Sequence, residues 1–336
     1  MQLREDASMK FGICLPTYPF GMEPSREAIE KVARAGERLG YDSLWTSDHI
    51  LPPRDKPRYG NLYEALTTLA FLAGITTRVE LGTSVLVLPL RDPRLVAKQI
   101  ATIDALSGGR VTLGIGVGWM EDEFKAVGAE FRRRGKRVDE AIRAMRTLWT
   151  DPNPVFDGEF YQFRDVYCEP RPARAGGPRL EFGGYGAATL RRAATFGDGW
   201  HADDMTPDKL SEMGRELRAL AQAKGRAVSI TLRRTVDMRP AAAAAGRLKP
   251  PTEAGGIQAG KWTGGSAGAL SGSADEVRRG VEEVAALGVD HFVCQFEQAN
   301  LEEHMASVEV FAEAIIATHK AAAPHEADGA AQSRRK

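Results

Sequence analysis

Along this chain of 336 residues, short strand-like apolar runs alternate eight times with segments of helical periodicity, and nothing else constrains the fold as strongly. The strand-like runs fall at 9–15, 43–46, 79–87, 110–115, 179–182, 199–201, 229–236 and 291–296. Between them apolar residues recur at helical spacing, as in Ile29, Val32, Ala33 and Gly36, or Val138, Ile142, Met145 and Trp149. Several helix openings carry caps: Ser25, Asp92 before Pro93, Thr206 before Pro207, and a capping box from Ser273 to Glu276. Strict alternation of this kind predicts an α/β fold, a (β/α)8 TIM barrel, with a doubly wound sheet as the alternative.

The expected organisation is an N-terminal extension over 1–9, a single barrel over 10–319 and a disordered tail over 320–336. Two insertions enlarge the barrel. Residues 151–172 read as a hairpin, with Phe156, Phe160, Tyr161 and Phe163 flanking an Asp157-Gly158 turn signal. Residues 239–272, rich in Ala, Gly and Pro and without periodicity, read as a lid.

Composition narrows the class. Lys and Arg total 45, as do Asp and Glu, so the formal charge is zero, which does not suit a nucleic-acid or membrane-surface binder. Cys14, Cys168 and Cys294 are too far apart for a metal or redox motif and read as buried thiols of a reducing compartment. Acidic residues near the N-terminus do not suit a signal peptide, and no apolar run reaches the ~18 residues of a membrane span. A cytoplasmic location is the expectation.

Glycine is the departure, at 35 residues, and its positions carry information. In a barrel, chemistry sits on the loops that follow the strands. The third strand carries Gly82 before Thr83-Ser84-Val85; the fourth runs into Gly114-Ile-Gly116-Val-Gly118-Trp119; the fifth ends in Gly183-Gly184-Tyr185-Gly186 and meets a helix. Bare backbone at the barrel mouth suits a flat ligand, with glycine for tight packing as the bland alternative, and glycines before a helix N-terminus can offer N–H groups to a phosphate. The second strand ends in Thr46-Ser47-Asp48-His49, which places a histidine where it could serve acid–base work. His201-x-Asp203-Asp204 has no recognised metal spacing and reads as a solvated acidic loop, so no metal site is expected.

Taken in order, Lys10-Phe-Gly-Ile-Cys-Leu-Pro16, Thr46-Ser-Asp-His49, Leu81-Gly-Thr-Ser-Val85, Leu106-Ser-Gly-Gly-Arg110, Gly114-Ile-Gly-Val-Gly-Trp119 and Gly197-Asp-Gly-Trp200 resemble the luciferase-like flavin and deazaflavin oxidoreductases, from Lys10 to about Ala317. Ser-Asp-His and Gly-Trp-x-x-x-Glu-Phe resemble most the branch using coenzyme F420, a deazaflavin. The resemblance implies a barrel with insertions, a non-prolyl cis peptide at Ser84–Val85 backing the cofactor ring, and Gly116 beneath that ring. It further implies Gly183, Gly184 and Gly186 at the cofactor phosphate, and His49 as the proton-handling residue with Asp48 orienting it.

The implied activity is hydride exchange between F420 and a small organic substrate. An FMN-dependent monooxygenase using reduced flavin and O2 is the alternative, and a non-catalytic flavin-binding relative is the third reading. A separate F420 or flavin reductase and a second copy of the chain, as a homodimer, are the expected protein partners. Similar sugar-phosphate dehydrogenases place a catalytic glutamate where this chain has Trp119, so an apolar or aromatic substrate beside Trp119 is expected, with Glu121 and Glu123 near enough to substitute in part.

Overall fold

The computed structural model describes residues 9–248 and 269–322. Eight parallel strands close on themselves: β1 (Lys10–Cys14), β2 (Ser43–Thr46), β3 (Glu80–Thr83), β4 (Val111–Gly116), β5 (Arg179–Gly183), β6 (Gly199–Asp203), β7 (Ser229–Asp237) and β8 (His291–Phe296). Each pairs with the next, and β8 returns to β1 with Lys10 opposite His291 and Ile13 opposite Cys294. Around them run α1 (Arg26–Arg38), α2 (Ala65–Ile75), α3 (Pro93–Ser107), α4 (Arg134–Thr150), α5 (Ala187–Phe196), α6 (Pro207–Gln222), α7 (Ala274–Ala286) and α8 (Leu301–Phe311). The fold is a (β/α)8 barrel.

The strand alternation explains the closure. Leu113, Ile115, Leu180, Phe182 and Ile230 join the large apolar cluster shared with the helices, whereas His201 and Thr231 both hydrogen-bond to Glu181. The helix starts are set by the residues that the sequence marks as caps. Ser25, Asp92 and Thr206 each accept a backbone N–H of the first turn, and Ser273 and Glu276 form a reciprocal capping box.

Three segments depart from the expected elements. The run 79–87 is not one strand: it leaves the sheet after Thr83, and Leu86–Val87 rejoins beside β4, with Val87 opposite Gly116. The peptide between Ser84 and Val85 is cis. The aperiodic stretch 239–272 contains a helix, Arg239–Ala244, because Pro240 suits a first helical turn and a run of five alanines follows. It also contains Leu270–Ser271, which pairs with the end of β7; residues 249–268 of that stretch lie outside the described residues. The helical run after α8 continues through Ala322, past the point where a tail was expected. The remainder of that tail and the first eight residues also lie outside the described residues.

The hairpin is present as Phe156–Asp157 paired with Gln162–Phe163, its turn centred on Glu159–Phe160, two residues later than the Asp157-Gly158 signal. The reason is Glu140 on α4, whose carboxylate accepts from the amides of Glu159, Phe160 and Tyr161 and so gathers the turn around itself.

Candidate active site

A cleft with a cavity volume of about 350 Å³ opens where the strands end, lined by residues at the ends of β1 to β5 and the loops after them, by His201 and Asp203 of β6, and by Arg233 of β7. Its floor is Ser84 and Val85. Ser84 is held at its amide, its carbonyl and its hydroxyl: the amide donates to the Thr46 carbonyl (2.7 Å), the carbonyl accepts from Arg233 (3.0 Å), and Oγ lies 2.9 Å from His201 Nε2. Val85 then packs over glycine. A Cβ at Gly116 would stand 2.8 Å from Val85 Cγ2, and one at Gly183 would stand 2.7 Å from Cγ1. These two glycines line the cleft, but what requires their bare backbone is the valine of the floor.

His49 forms one wall. Its Nδ1 lies 2.8 Å from Glu123 Oε2, and the second oxygen of Glu123 accepts the Ile50 amide at 2.6 Å. Glu123 belongs to a short helix, Glu121–Ala126, and is almost wholly buried. With Nδ1 engaged, Nε2 is the ring nitrogen left for the cleft. Tyr59 lies tilted against the imidazole with centroids 4.5 Å apart, and Trp119, half exposed at the rim, stands edge-on at 6.2 Å. Glu121 is exposed and reaches Lys125 instead.

Asp48 does not orient His49. Its carboxylate accepts two hydrogen bonds from Arg91 (2.8 and 2.7 Å) and the Val87 amide (2.8 Å), tying the end of β2 to the segment after β3. Glu123, 74 residues away in sequence, takes the place expected for it. Nothing in spacing could reveal this, since the pairing depends on how the loop after β4 folds back over β2.

Gly184 and Gly186 have positive φ values, 123° and 106°, in the turn from β5 to α5. Gly186 is the helix N-cap, where no side chain takes the first amides, and a Cβ on it would meet nothing within 4 Å. This is an open cradle of backbone N–H groups of the kind that suits an anion. Gly183 and Gly184 line the cleft; Gly186 sits one step behind them.

Below the floor lies a polar layer that sequence reasoning missed. His201 Nδ1 lies 3.0 Å from Glu181 Oε2, while Glu181 Oε1 accepts from Thr231 Oγ1 (2.9 Å) and Arg179 Nε (3.3 Å). Burial works to raise the Glu181 pKa, but the His201 contact, with Arg179, outweighs it and brings the pKa down to about 2. Asp203 and Arg233 form a bidentate pair at 2.8 and 2.7 Å. Burial opposes the Asp203 charge too, and Arg233 more than offsets it, so its carboxyl lies below the usual range. His201 and Asp203 are thus committed to ionic partners rather than to a solvated loop. Among the described residues no group of three or more His, Cys, Asp or Glu side chains is placed to hold a metal ion. The signal that could have found this layer is charge at inward positions of β5 and β7, where Arg179 and Glu181 on one strand and Arg233 on the other stand within apolar runs.

A parallel barrel whose strand ends hold an imidazole–carboxylate pair, a bulged floor and an anion-suited helix start defines the class: a barrel enzyme fold with a cofactor-sized cleft. Residues 9–248 match the family model described as luciferase-like monooxygenase, and the chain belongs to that family. An F420-dependent glucose-6-phosphate dehydrogenase of Intrasporangium calvum is 39% identical over 208 residues, covering 58% of this chain and 56% of that enzyme. An FMNH2-dependent dimethylsulfone monooxygenase of Pseudomonas putida is 32% identical over 205 residues, covering 60% and 55%. The chain thus spans just over half the length of these two relatives. In overall fold, the monooxygenase RslO1 from Streptomyces bottropensis superposes with a TM-score of 0.75 at 24% identity, covering 93% of this chain and all of that one. The family therefore has F420-dependent and FMN-dependent members, and those named are oxidoreductases. No helix among the described residues is long and apolar enough to cross a membrane.

Proposed function

We propose that this chain is an F420-dependent oxidoreductase that exchanges a hydride between the deazaflavin and a small organic substrate, with His49 handling the accompanying proton. The observation that carries the reading is the His49–Glu123 pair at the cleft wall, 2.8 Å between Nδ1 and carboxylate. A carboxylate on Nδ1 fixes the ring and its tautomer, so that Nε2 is aimed for proton transfer. The residues present fit the cofactor: Val85 and Ser84 would back the ring, while the amides at Gly184 and Gly186, with the N-terminus of α5, would take the phosphate. When bound, the deazaflavin supplies hydride-pair chemistry. Trp119 offers an apolar wall to a substrate with aromatic or aliphatic character, and Tyr59 packs His49 against movement. The greater identity to the F420 enzyme favours F420 over FMN.

Equilibrium titration with F420 and with FMN tests the cofactor. F420 is expected to bind in the micromolar range or tighter and FMN more weakly; tight FMN binding with none of F420 would overturn the choice in favour of a reduced-flavin monooxygenase. His49→Ala and Glu123→Gln test the proton path. Both should lower turnover by about 100-fold or more while leaving F420 affinity within a few-fold of wild type, and unchanged turnover in either removes His49 from its role.

A further inference from the structure

The floor of the cleft rests on a hydrogen-bonded chain with a determinable direction. Glu181 accepts from Thr231 Oγ1 and Arg179 Nε, groups that can only donate to a carboxylate, so it is an acceptor on every side. His201 must therefore carry its proton on Nδ1, 3.0 Å from Glu181 Oε2. The ring needs no second proton to neutralise a carboxylate of this layer: Glu181 already pairs with Arg179, which is partly exposed, and Asp203 with Arg233. A protonated ring would add a further cation where both carboxylates are already paired. His201 Nε2 is then a bare acceptor, and among the described residues its hydrogen-bond partner is the Ser84 hydroxyl at 2.9 Å.

We infer that Glu181, acting through His201, turns the Ser84 hydroxyl proton into the barrel, so that the Ser84 oxygen at the floor of the cleft can accept a hydrogen bond from a ligand but cannot donate one. Arg233 reinforces this by donating toward the same oxygen at 3.4 Å. Trp45, tilted against His201 with centroids 4.8 Å apart, keeps the imidazole from rotating out of line. Glu181 and His201 are thus positioning residues, and Ser84 is the group that touches the ligand. The chemistry this selects is a ring edge that presents an N–H to the floor, in preference to a bare ring nitrogen or carbonyl. That last step rests on the cleft being the cofactor site; the direction of the chain does not.

The experiment uses the full-length protein labelled with 15N-histidine, with the His201 signal assigned by its loss in His201→Gln. Without ligand, His201 is expected to show a protonated Nδ1 and a bare Nε2. A protonated Nε2, alone or with Nδ1, overturns the inference, and this reading needs no variant at Glu181. In Glu181→Gln the amide oxygen can still serve Thr231 and Arg179 while its NH2 faces Nδ1, so the proton should move to Nε2; an unmoved tautomer also overturns it. The ligand arm measures the ratio of dissociation constants for oxidised and reduced F420, and for FMN. Glu181→Gln should change that ratio by about 3- to 10-fold, and should change nothing further in a Ser84→Ala background, where the hydroxyl is absent. An unchanged ratio with the tautomer moved overturns the selection by Ser84. If neither F420 nor FMN binds, the cofactor reading fails, and the tautomer measurement still decides the direction of the chain.

Discussion

The Asp48 carboxylate spends three hydrogen bonds on Arg91 and the Val87 amide, while Arg91 reaches a second carboxylate, Glu64, at 2.9 Å. Asp48 is buried and Arg91 nearly so, so the pair is a structural clamp between β2 and the start of α3. Removing one partner of a buried pair leaves the other charge uncompensated, which costs more than the pair contributes. Asp48→Ala should therefore lower the unfolding free energy by about 3 kcal/mol, toward the low end for such pairs because Glu64 remains. Urea denaturation measures it. A variant as stable as wild type that had lost only turnover would instead return Asp48 to the proton path. The adjacent His49 is placed differently: it lines the cleft, while its partner Glu123 lies buried behind it and also takes the Ile50 amide. Two neighbours in sequence thus belong to different machinery, and the side each takes is set by loops that arrive from elsewhere.

At the level of elements, strands β4 and β5 carry glycine where they pass the bulge after β3. The sequence marks those glycines clearly, but not what they make room for, because Val85 is 31 residues from Gly116 and 98 from Gly183 and meets both only once the barrel closes. The same limit hid the polar layer: period two along β5 and β7 is legible, whereas which inward groups meet is not. What was legible was everything carried by local chemistry, namely the caps at Ser25, Asp92, Thr206 and Ser273, the strand ends and the hairpin aromatics. The bulge makes a specific prediction. Gly183→Ala would set a Cβ 2.7 and 2.8 Å from the two Val85 methyls, tighter than van der Waals contact allows, and should destabilise by about 1–3 kcal/mol. Val85→Ala removes those methyls, so the double variant should recover part of that loss, a coupling of about 1 kcal/mol in a double-mutant cycle. Strict additivity of the two changes would show that Gly183 is required for another reason.

Across the whole molecule, buried histidines tie stability to pH. His291 sits inside the barrel with Nε2 at 2.8 Å from Ser43 Oγ, and burial pushes its pKa down to about 4 despite the nearby Glu181 charge. His304, on α8 with its ring edge-on to Phe296 at 5.8 Å, is likewise held down to about 4 by burial. In the unfolded chain both titrate near 6.5. Between about pH 6.5 and 4 the unfolded state therefore binds protons that the folded state refuses, and stability rises with pH across that window. The contribution is fully present above 6.5 and lost as pH falls toward 4. Glu181 adds a second loss lower down, from its ordinary carboxylate range toward about 2, where the polar layer itself is protonated. Replacing one histidine by a side chain that cannot titrate should remove its share alone. His304→Gln keeps a polar group of similar size, so between pH 5 and 6 its unfolding free energy should depend on pH less steeply than wild type by about one proton, roughly 1 kcal/mol per pH unit. Urea midpoints at half-unit pH intervals give that slope directly. Parallel curves for variant and wild type would mean that His304 takes up its proton without unfolding, and that α8 can admit a charge beside Phe296.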